Sequence, residues 1–361
     1  LRHTFAASER HELSWGAELG RMDKHNTLVR ENFFHLGAGV VPSDRLDQRD
    51  EDRSRELWLS DRFRAADKLI LQADLARQHY TKTRDINIYR DRVPPVTQTF
   101  PESYDRSLIA PRLGAAYALG NGATLRAAYQ KWLRPASYNT LEPVATAGIP
   151  IDDSLVYAGG QLSRYRGQLD WELSPAWFVN AYADRRSVDN LSSPLDGVLN
   201  TRADVANLDR LRQKNVANLA APDQLEATPV FSRGTATSGG FSVNHVLSRT
   251  LASYFGYTRT LSKNTSAAFD GKAIPYLPRH RATVGLTWAG DQRLLVSAQA
   301  MWRSERYADE ANLVPLDSGW DMTLKLHWES ESKRWTVEGY AANLIKRNTS
   351  NILGVNLIAR F

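Results

Sequence analysis

The chain has 361 residues, no cysteine and a net charge of +6. The lack of cysteine excludes disulfides, thiolate metal sites and cysteine nucleophiles. Its 46 basic and 40 acidic residues are spread too evenly to favour a nucleic acid as partner. No apolar run reaches the roughly 18 residues of a transmembrane helix. Because the chain begins at Leu1 without methionine or a signal peptide, we expect it to be a piece of a longer precursor.

Apolar and polar residues alternate with period two through most of the chain, a pattern typical of β-strands. In the clearest segment Trp320, Leu324 and Trp328 fall on one face, with Thr323 and Lys325 on the other. The alternation predicts about fifteen strands, most of them near the ~9–11 residues that a tilted strand needs to cross a bilayer. The predicted strands lie near 2–7, 11–19, 55–63, 67–78, 108–119, 123–134, 161–173, 177–188, 232–247, 250–261, 278–288, 293–303, 318–328, 334–343 and 352–361.

The connections between these strands alternate between short and long. The short ones lie near 8–10, 64–67, 120–122, 174–176, 248–249, 289–292 and 329–333, and the long ones near 20–54, 79–107, 135–160, 189–231, 262–277, 304–317 and 344–351. Short periplasmic turns and long extracellular loops are typical of a transmembrane barrel. The sequence therefore predicts an all-β fold, one antiparallel up-and-down outer-membrane β-barrel over residues 1–361.

Two of the long connections contain segments of distinct character. The charged run at 44–55 is interpreted as a solvated loop. In the connection at 189–231, Val205, Leu208 and Leu211 have helical spacing, and Asp204 is suited to begin a helix. Such a helix would lie either in the barrel vestibule as a constriction or on the extracellular surface.

Tryptophans gather at strand ends, where the aromatic girdles of a membrane barrel lie. The alternative is that they are core residues of a soluble sandwich. The predicted girdle consists of Trp171, Trp177, Trp288, Trp302, Trp320, Trp328 and Trp335.

The last residue, Phe361, ends the final predicted strand and resembles the aromatic assembly signal of outer-membrane barrels. If this end is periplasmic, all the short turns are periplasmic too. An odd strand count then predicts that at least one strand precedes Leu1, in a barrel of roughly sixteen strands or more.

Catalytic and metal-binding patterns are missing from the sequence. No nucleophile-elbow, phosphate-loop or dinucleotide motif occurs, and the eight histidines are scattered. We therefore expect no enzyme activity, no cofactor and no metal bound by the protein itself.

Arginine and glutamine side chains recur on the face predicted to point into the barrel. Planar guanidinium groups suit carboxylate or phosphate ligands, so these residues are candidates for contact with an anionic or saccharide solute. The alternatives are structural ion pairs, with Glu12, Glu18, Asp74 or Asp170 as partners, or binding of lipopolysaccharide phosphates at the rim. The candidates are Arg126, Gln130, Arg134, Arg164, Arg166, Gln168, Arg279 and Arg281.

Several stretches resemble the C-terminal barrel of TonB-dependent receptors. They are ELWLSDRFRAADKLILQADLAR, IAPRLGAAYALGNGATLRAAYQKWLRPASYNTLEP, AIPYLPRHRATVGLTW and the ending NLIKRN with VNLIARF. The resemblance implies uptake of a nutrient chelate, with outer-membrane lipid, lipopolysaccharide, the barrel assembly machinery and, through an N-terminal part, TonB as partners. The chain contains neither a TonB box nor a glycine-rich plug, which lie N-terminally in that family.

A second resemblance remains open at this point. The stretch LRAAYQKWLRPASYNTLEPVATAGIPIDD is also similar to the porin part of exopolysaccharide exporters that carry periplasmic helical repeats. A third hypothesis is a structural or adhesive outer-membrane barrel. The sequence names neither the solute nor the direction of transport.

Overall fold

The computed structural model describes residues 1–30, 44–90, 96–135, 142–190, 231–290, 293–345 and 352–359. In this part of the chain all regular structure is strand, and no helix there is long and apolar enough to cross a membrane. The strands, numbered in chain order, are β1 (Arg2–Ala6), β2 (His11–Arg30), β3 (Asp44–Ala66), β4 (Leu69–Arg90), β5 (Val96–Gly120), β6 (Ala123–Leu133), β7 (Ala145–Thr146), β8 (Ile149–Pro150), β9 (Gln161–Ser174), β10 (Trp177–Asp189), β11 (Arg233–Val246), β12 (Leu251–Asn264), β13 (His280–Ala289), β14 (Leu294–Arg303), β15 (Arg306–Tyr307), β16 (Pro315–Leu316), β17 (Gly319–Glu329), β18 (Trp335–Ala342) and β19 (Ile352–Ala359).

One antiparallel sheet contains fifteen of these strands, each paired with its neighbours along the chain. Its strands are β1–β6, β9–β14 and β17–β19, with β1 and β19 at its two edges. The remaining strands form two short hairpins, β7–β8 and β15–β16, inside long connections. The predicted all-β meander of fifteen antiparallel strands is confirmed.

Strands β2 to β5 are far longer than predicted, with 20, 23, 22 and 25 residues. The predicted loops near 20–54 and 79–107 are therefore wrong over most of their length. The charged run at 44–55 is not a loop, because it lies in β3. A strand of this length extends about 75 Å, so even when tilted it projects well beyond an apolar band of about 25 Å.

The physical reason for this error lies outside the membrane. There, one face of the sheet no longer meets lipid, so the apolar half of the alternation disappears while the strands stay paired. Charged side chains take its place on the outward face, where Glu51 forms ion pairs with Arg53 of the same strand at 2.6 Å and with Arg21 of β2 at 3.2 Å. Period two in hydrophobicity therefore marks only the part of each strand that crosses the bilayer.

The two faces of the sheet separate as the alternation predicts. On β17, Thr323 is buried while the neighbouring Leu324 is exposed, and Leu324 pairs with Ala298 of β14 in the register. In the structure of a membrane barrel, an exposed apolar residue faces lipid. We call this the outer face and the opposite one the inner face.

The turn between β5 and β6 shows how tightly the short connections are built. Gly120, Asn121 and Gly122 all have positive φ, at 97°, 50° and 76°, a conformation that glycine and asparagine tolerate best. A Cβ atom on Gly122 would stand 2.4 Å from the carbonyl oxygen of Glu172 on the next hairpin. Glycine is therefore required at this position by close approach as well as by φ.

The opposite ends of the strands carry packed loops with an apolar cluster of their own. Residues from three connections meet in this cluster, so the described parts of these connections pack together at this end of the sheet. Its buried members are Leu155, Val156, Leu162, Val188, Phe231, Ala236 and Ile274. The helix predicted from Asp204 and the assembly signal at Phe361 both lie outside the described residues.

The assignment of faces gives a direct test at mid-depth. We expect Leu324→Arg to destabilise the folded barrel by about 2–4 kcal/mol, because the guanidinium group would enter the hydrocarbon region. The matched control is Gln299→Arg on the neighbouring strand, where arginine replaces a long polar side chain of the inner face. Unfolding in lipid vesicles, followed by tryptophan fluorescence against denaturant, measures both; equal losses would contradict the assignment.

Candidate functional site

The inner face of β5, β6 and β9 is covered by residues 142–160, which we call the cap segment. This segment contains the β7–β8 hairpin, whose turn has Ala147 and Gly148 at positive φ of 51° and 81°. A Cβ atom on Gly148 would stand 2.6 Å from Nη1 of Arg126. Glycine there lets the guanidinium group of Arg126 reach the backbone of the hairpin.

Side chains of the sheet donate hydrogen bonds to the carbonyl oxygens of the cap segment. These carbonyls lie outside the main ladder, so they need partners from elsewhere when they are buried. The donors are Arg112 to Pro143 at 2.8 Å, Arg126 to Ala147 at 2.9 Å, Gln130 to Ile149 at 2.9 Å, Arg164 to Pro150 at 2.7 Å and Arg134 to Val156. Four of these five donors are residues that the sequence proposed as solute contacts.

The carboxylate of Asp184 in β10 forms ion pairs with three arginines below the cap segment. This carboxylate lies 2.5 Å from Nη2 of Arg164, 3.3 Å from Nη1 of Arg166 and 3.2 Å from Nε of Arg186. The register explains the cluster, because Asp184 stands opposite Arg166, and Arg186 stands opposite Arg164. The side chain of Arg164 is only 2% exposed and that of Asp184 is fully buried.

The acidic partners predicted from the sequence are only partly those observed. Asp170 pairs with Arg126 at 2.8 Å, as proposed, whereas Asp74 lies 3.4 Å from Arg112. Asp184 was missed, although it has the parity of the inner face on β10. The period-two alternation of β10, which places every second residue on the inner face, is the signal in the sequence that identifies it.

A second buried cluster joins the start of the cap segment to the sheet. Glu142 lies 2.8 Å from Nη2 of Arg112 and accepts a hydrogen bond of 3.0 Å from Gln78. Burial raises the pKa of Glu142 well above its ordinary value, and the nearby Glu56 and Asp74 raise it further, while Arg112 acts in the opposite direction. Three carboxyl groups around one guanidinium group thus favour a retained proton on Glu142.

Asp152 shows the opposite balance at the other side of the cap segment. Burial acts to raise its pKa, but the charge of Arg186, 2.8 Å away, and a hydrogen bond from Ser154 lower it to about 2. Asp152 therefore stays ionised at any physiological pH and ties the cap segment to β10.

The remaining candidates divide into two groups. Arg166 lies over the ring of Tyr182, 4.0 Å from its centroid, and donates a 2.9 Å hydrogen bond to Gln168. Arg279 and Arg281 lie apart from this cluster at β13, and both are exposed. Arg281 stands directly opposite Arg303 of β14 in the register.

The tryptophans of the predicted girdle lie at strand ends with half-exposed rings in most cases. Trp171, Trp177, Trp288, Trp320 and Trp335 are 40–45% exposed, while Trp302 and Trp328 are partly buried. Trp177 stacks on His245 with ring centroids 3.7 Å apart. Their contact with the membrane interface stays a prediction.

Among the described residues, no three His, Asp or Glu side chains are grouped to hold a metal ion.

The fold and this arginine-lined inner face can now be compared with known proteins. A family model described as TonB dependent receptor-like, beta-barrel matches residues 2–344. The chain belongs to this family. TonB-dependent receptor barrels are bacterial outer-membrane proteins, which places the short turns in the periplasm and the long loops outside. No curated protein matches the sequence.

Solved structures of TonB-dependent receptors share the fold. The ferric yersiniabactin uptake receptor FyuA from Yersinia pestis is similar with a TM-score of 0.59 and 13% identity, covering 100% of this chain and 53% of that one. The ferric-catecholate import receptor Fiu from E. coli K12 has a TM-score of 0.57 and 14% identity, covering 99% and 52%. The siderophore receptor PiuA from Acinetobacter baumannii has a TM-score of 0.57 and 12% identity, and the match covers 98% of this chain and 52% of that one. This chain thus spans about half the length of these TonB-dependent receptors.

The Asp184 cluster predicts a strong effect of one substitution in this TonB-dependent receptor barrel. We expect Asp184→Asn to destabilise the barrel by about 3–5 kcal/mol, because it leaves buried arginines without their carboxylate. Asp270→Asn, at an exposed pair 3.1 Å from Lys263, is the control and should cost at most about 1 kcal/mol. Denaturant unfolding measures both, and similar losses would contradict the role of Asp184.

Glu142 predicts a pH dependence for the docking of the cap segment. In the docked state Glu142 keeps a proton at pH values where a free carboxyl group, with its ordinary pKa of 4.5, has lost it. Docking is therefore favoured at low pH and weakens as the pH rises through the raised pKa. We expect amide hydrogen exchange in residues 143–156 to rise with pH beyond its intrinsic dependence.

The matched variant is Glu142→Gln, which stays neutral and should remove this extra dependence. Glu172→Gln, on an exposed part of β9, should leave it as in the unmodified protein. Persistence of the full dependence in Glu142→Gln would show that another group controls docking.

Proposed function

We propose that this protein forms the barrel of a TonB-dependent uptake receptor that carries a nutrient, bound in an anionic chelate, across the outer membrane. The observation that carries the proposal is the match of the receptor barrel family over residues 2–344. The arginines of the inner face support an anionic solute, because guanidinium groups bind carboxylate and phosphate oxygens in bidentate fashion.

The chelate class rests on structural neighbours and on charge. Their names refer to ferric yersiniabactin in FyuA and to ferric catecholate in Fiu, and a further neighbour, with a TM-score of 0.54, is the ferric citrate transporter FecA. Iron chelates of these kinds present carboxylate or catecholate oxygens. A ferric chelate with net negative charge is therefore the solute that we propose for this chain.

Arg279 and Arg281 are the residues that we propose as first contacts. Both are exposed, and neither has a carboxylate oxygen within 4.0 Å among the described residues. Arg281 also faces Arg303 across the strand pair, and like charges directly opposite each other are destabilising. An anion at this position would be attracted by both guanidinium groups, which favours a ligand there.

The other candidates lie under or beside the cap segment. Arg126, Arg134, Arg166 and Gln168 are partly exposed and are proposed to contact solute at the edge of the cap. Gln130 and Arg164 are buried and become accessible only if the cap segment moves. Their main role in the docked state is to hold that segment.

The proposed partners follow from the family. TonB would supply the energy for uptake, through a part of the protein outside the present sequence. Insertion into the outer membrane would use the barrel assembly machinery, with Phe361 as the proposed recognition residue, and the barrel would contact lipopolysaccharide in the outer leaflet.

The test combines a double variant with a binding probe. We expect Arg279→Ala with Arg281→Ala to weaken binding of ferric citrate or an iron tris-catecholate by about tenfold or more, since each lost charged hydrogen bond costs about 1.5–3 kcal/mol and about 1.4 kcal/mol is tenfold. Quenching of tryptophan fluorescence measures affinity. Arg249→Ala, in an exposed periplasmic turn, is the control.

Uptake in cells then separates this function from a passive pore. Iron-starved cells that express the protein should accumulate the radiolabelled chelate only when TonB is present. Accumulation that is independent of TonB, or an absence of binding for all iron chelates, would contradict the proposed function.

A further inference from the structure

A basic residue recurs at one position of four strands that rise from the periplasmic turns. Each lies eight residues after the first residue of its strand, which is Leu69 in β4, Ala123 in β6, Trp177 in β10 and Leu251 in β12. The four are Arg77, Lys131, Arg185 and Arg259. We call them the outer basic ring.

All four belong to the outer face of the sheet. Arg77 is preceded and followed by the buried Ala76 and Gln78, and Lys131 by the buried Gln130 and Trp132. Since successive side chains of a strand point to opposite faces, Arg77 and Lys131 point outward. Arg185 follows the buried Asp184 in the same way.

Arg259 is placed by its own strand. Phe255 and Tyr257 share its parity and contact Phe241 on the next strand, with ring centroids 5.7 Å and 6.2 Å apart. Phe255 and Phe241 are about 40% exposed, as expected for lipid-facing rings. Arg259 therefore continues a row of outward aromatic residues.

The height of the ring follows from its position in the strands. Eight steps of about 3.4 Å at a tilt of about 35–45° place each basic residue roughly 19–22 Å above the periplasmic turn. The apolar band of an outer-membrane barrel is about 25 Å tall. The ring therefore lies a few ångströms below the extracellular edge of this band, where the long side chains of arginine and lysine can extend to the headgroups of the outer leaflet.

The outward positions below the ring carry no charge. On these four strands they are Leu71, Ala73, Leu75, Leu125, Ala127, Tyr129, Val179, Ala181, Ala183, Ser253, Phe255 and Tyr257. Among the described residues, no carboxylate oxygen lies within 4.0 Å of any member of the ring. Four cations thus stand at the border of an apolar surface without ion-pair partners in that part of the chain.

A groove in the apolar surface runs across β5, β6, β9 and β10, below the level of Lys131 and Arg185. Its volume is about 710 Å³, and it is lined by the small residues Ala115, Ala127, Gly167 and Ala183, with Tyr129 and Arg185 at its margin. Tyr129 contacts Tyr165 with ring centroids 4.8 Å apart. The groove exists because small side chains lie in a row between larger ones, and it is as apolar as an acyl chain requires.

We propose that the outer basic ring and this groove form a binding site for the phosphorylated glycolipid of the outer leaflet, the lipid A part of lipopolysaccharide. Its phosphate groups contact Lys131 and Arg185, and one of its acyl chains lies in the groove below them. Arg77 and Arg259 bind phosphates of neighbouring molecules around the barrel. Cations at the membrane surface attract anionic headgroups.

The charge test uses purified protein and diphosphorylated lipid A as the probe. Arg77→Gln, Lys131→Gln, Arg185→Gln and Arg259→Gln together should reduce the lipid A retained per protein, counted by native mass spectrometry, at least about fivefold. The control is Arg233→Gln with Lys263→Gln, exposed cations farther out that pair with Asp189 and Asp270. Full retention by the fourfold variant would overturn the proposal.

Two further arms test the chemistry and the groove. Monophosphorylated lipid A should bind more weakly than the diphosphorylated form, and phosphatidylglycerol should bind weakly and lose little in the fourfold variant. Ala183→Leu fills the groove without a change of charge and should lower retention of lipid A by itself. Equal binding of phosphatidylglycerol and lipid A would overturn the assignment to the glycolipid.

Folding is checked by the shift in gel mobility on heating. If the fourfold variant does not fold, Lys131→Gln with Arg185→Gln, which changes only the two residues beside the groove, gives the same decision. Loss of retained lipid A in a folded variant supports the site, and retention at the level of the unmodified protein refutes it.

Discussion

Every backbone N–H and C=O group in a bilayer must find its partner within the protein, because hydrocarbon offers none. Fifteen strands, each paired with its neighbours in one antiparallel sheet, meet this requirement everywhere in the described sheet except along its two edges, β1 and β19. The same pairing fixes the alternation of side chains between lipid and interior. The side chain of a charged residue on such a strand therefore points either to the lipid or to the interior. Its odd or even position along the strand decides which face it occupies. Most features of this molecule, from the buried ion pairs to the lipid-facing cations, follow from that choice.

The inner face illustrates how the charge of a buried side chain is compensated. Arg164 is buried at a level that would be costly for an unpaired cation, and it is satisfied by Asp184 and by the carbonyl oxygen of Pro150. The cap segment has carbonyl groups without ladder partners, and the sheet has guanidinium groups with donors to spare. Each therefore satisfies the other, and a loop that would otherwise be solvated becomes part of the wall.

The sequence alone was sufficient for the number, order and faces of the strands, because lipid imposes an apolar row on one side of each. It failed for the projecting parts of β2 to β5, where water contacts the outer face and charged residues such as Arg21 and Glu51 pair across strands instead. The Asp184 cluster could have been predicted from the alternation of side chains along β10 together with the register of β9 and β10. The docking of the cap segment could not be predicted from the sequence, because it depends on hydrogen bonds to backbone carbonyl groups. Every residue has a carbonyl group, so the side chains give no sign of which ones are bonded.

Arg185 and Arg186 of β10 show how far one step along a strand changes a role. Arg186 points inward, where Asp184 and Asp152 lie within 3.2 Å and 2.8 Å of its guanidinium group, and it helps to tie the cap segment to the sheet. Arg185 points outward, between Tyr165 and Thr237 in the register, and it has no such carboxylate in the described part of the chain. Two successive arginines therefore lie on opposite faces of the strand. One joins the cap segment to the sheet, and the other faces the membrane. Their amino-acid type does not distinguish the two roles. The face of the strand on which each arginine lies, together with its height in the membrane, does.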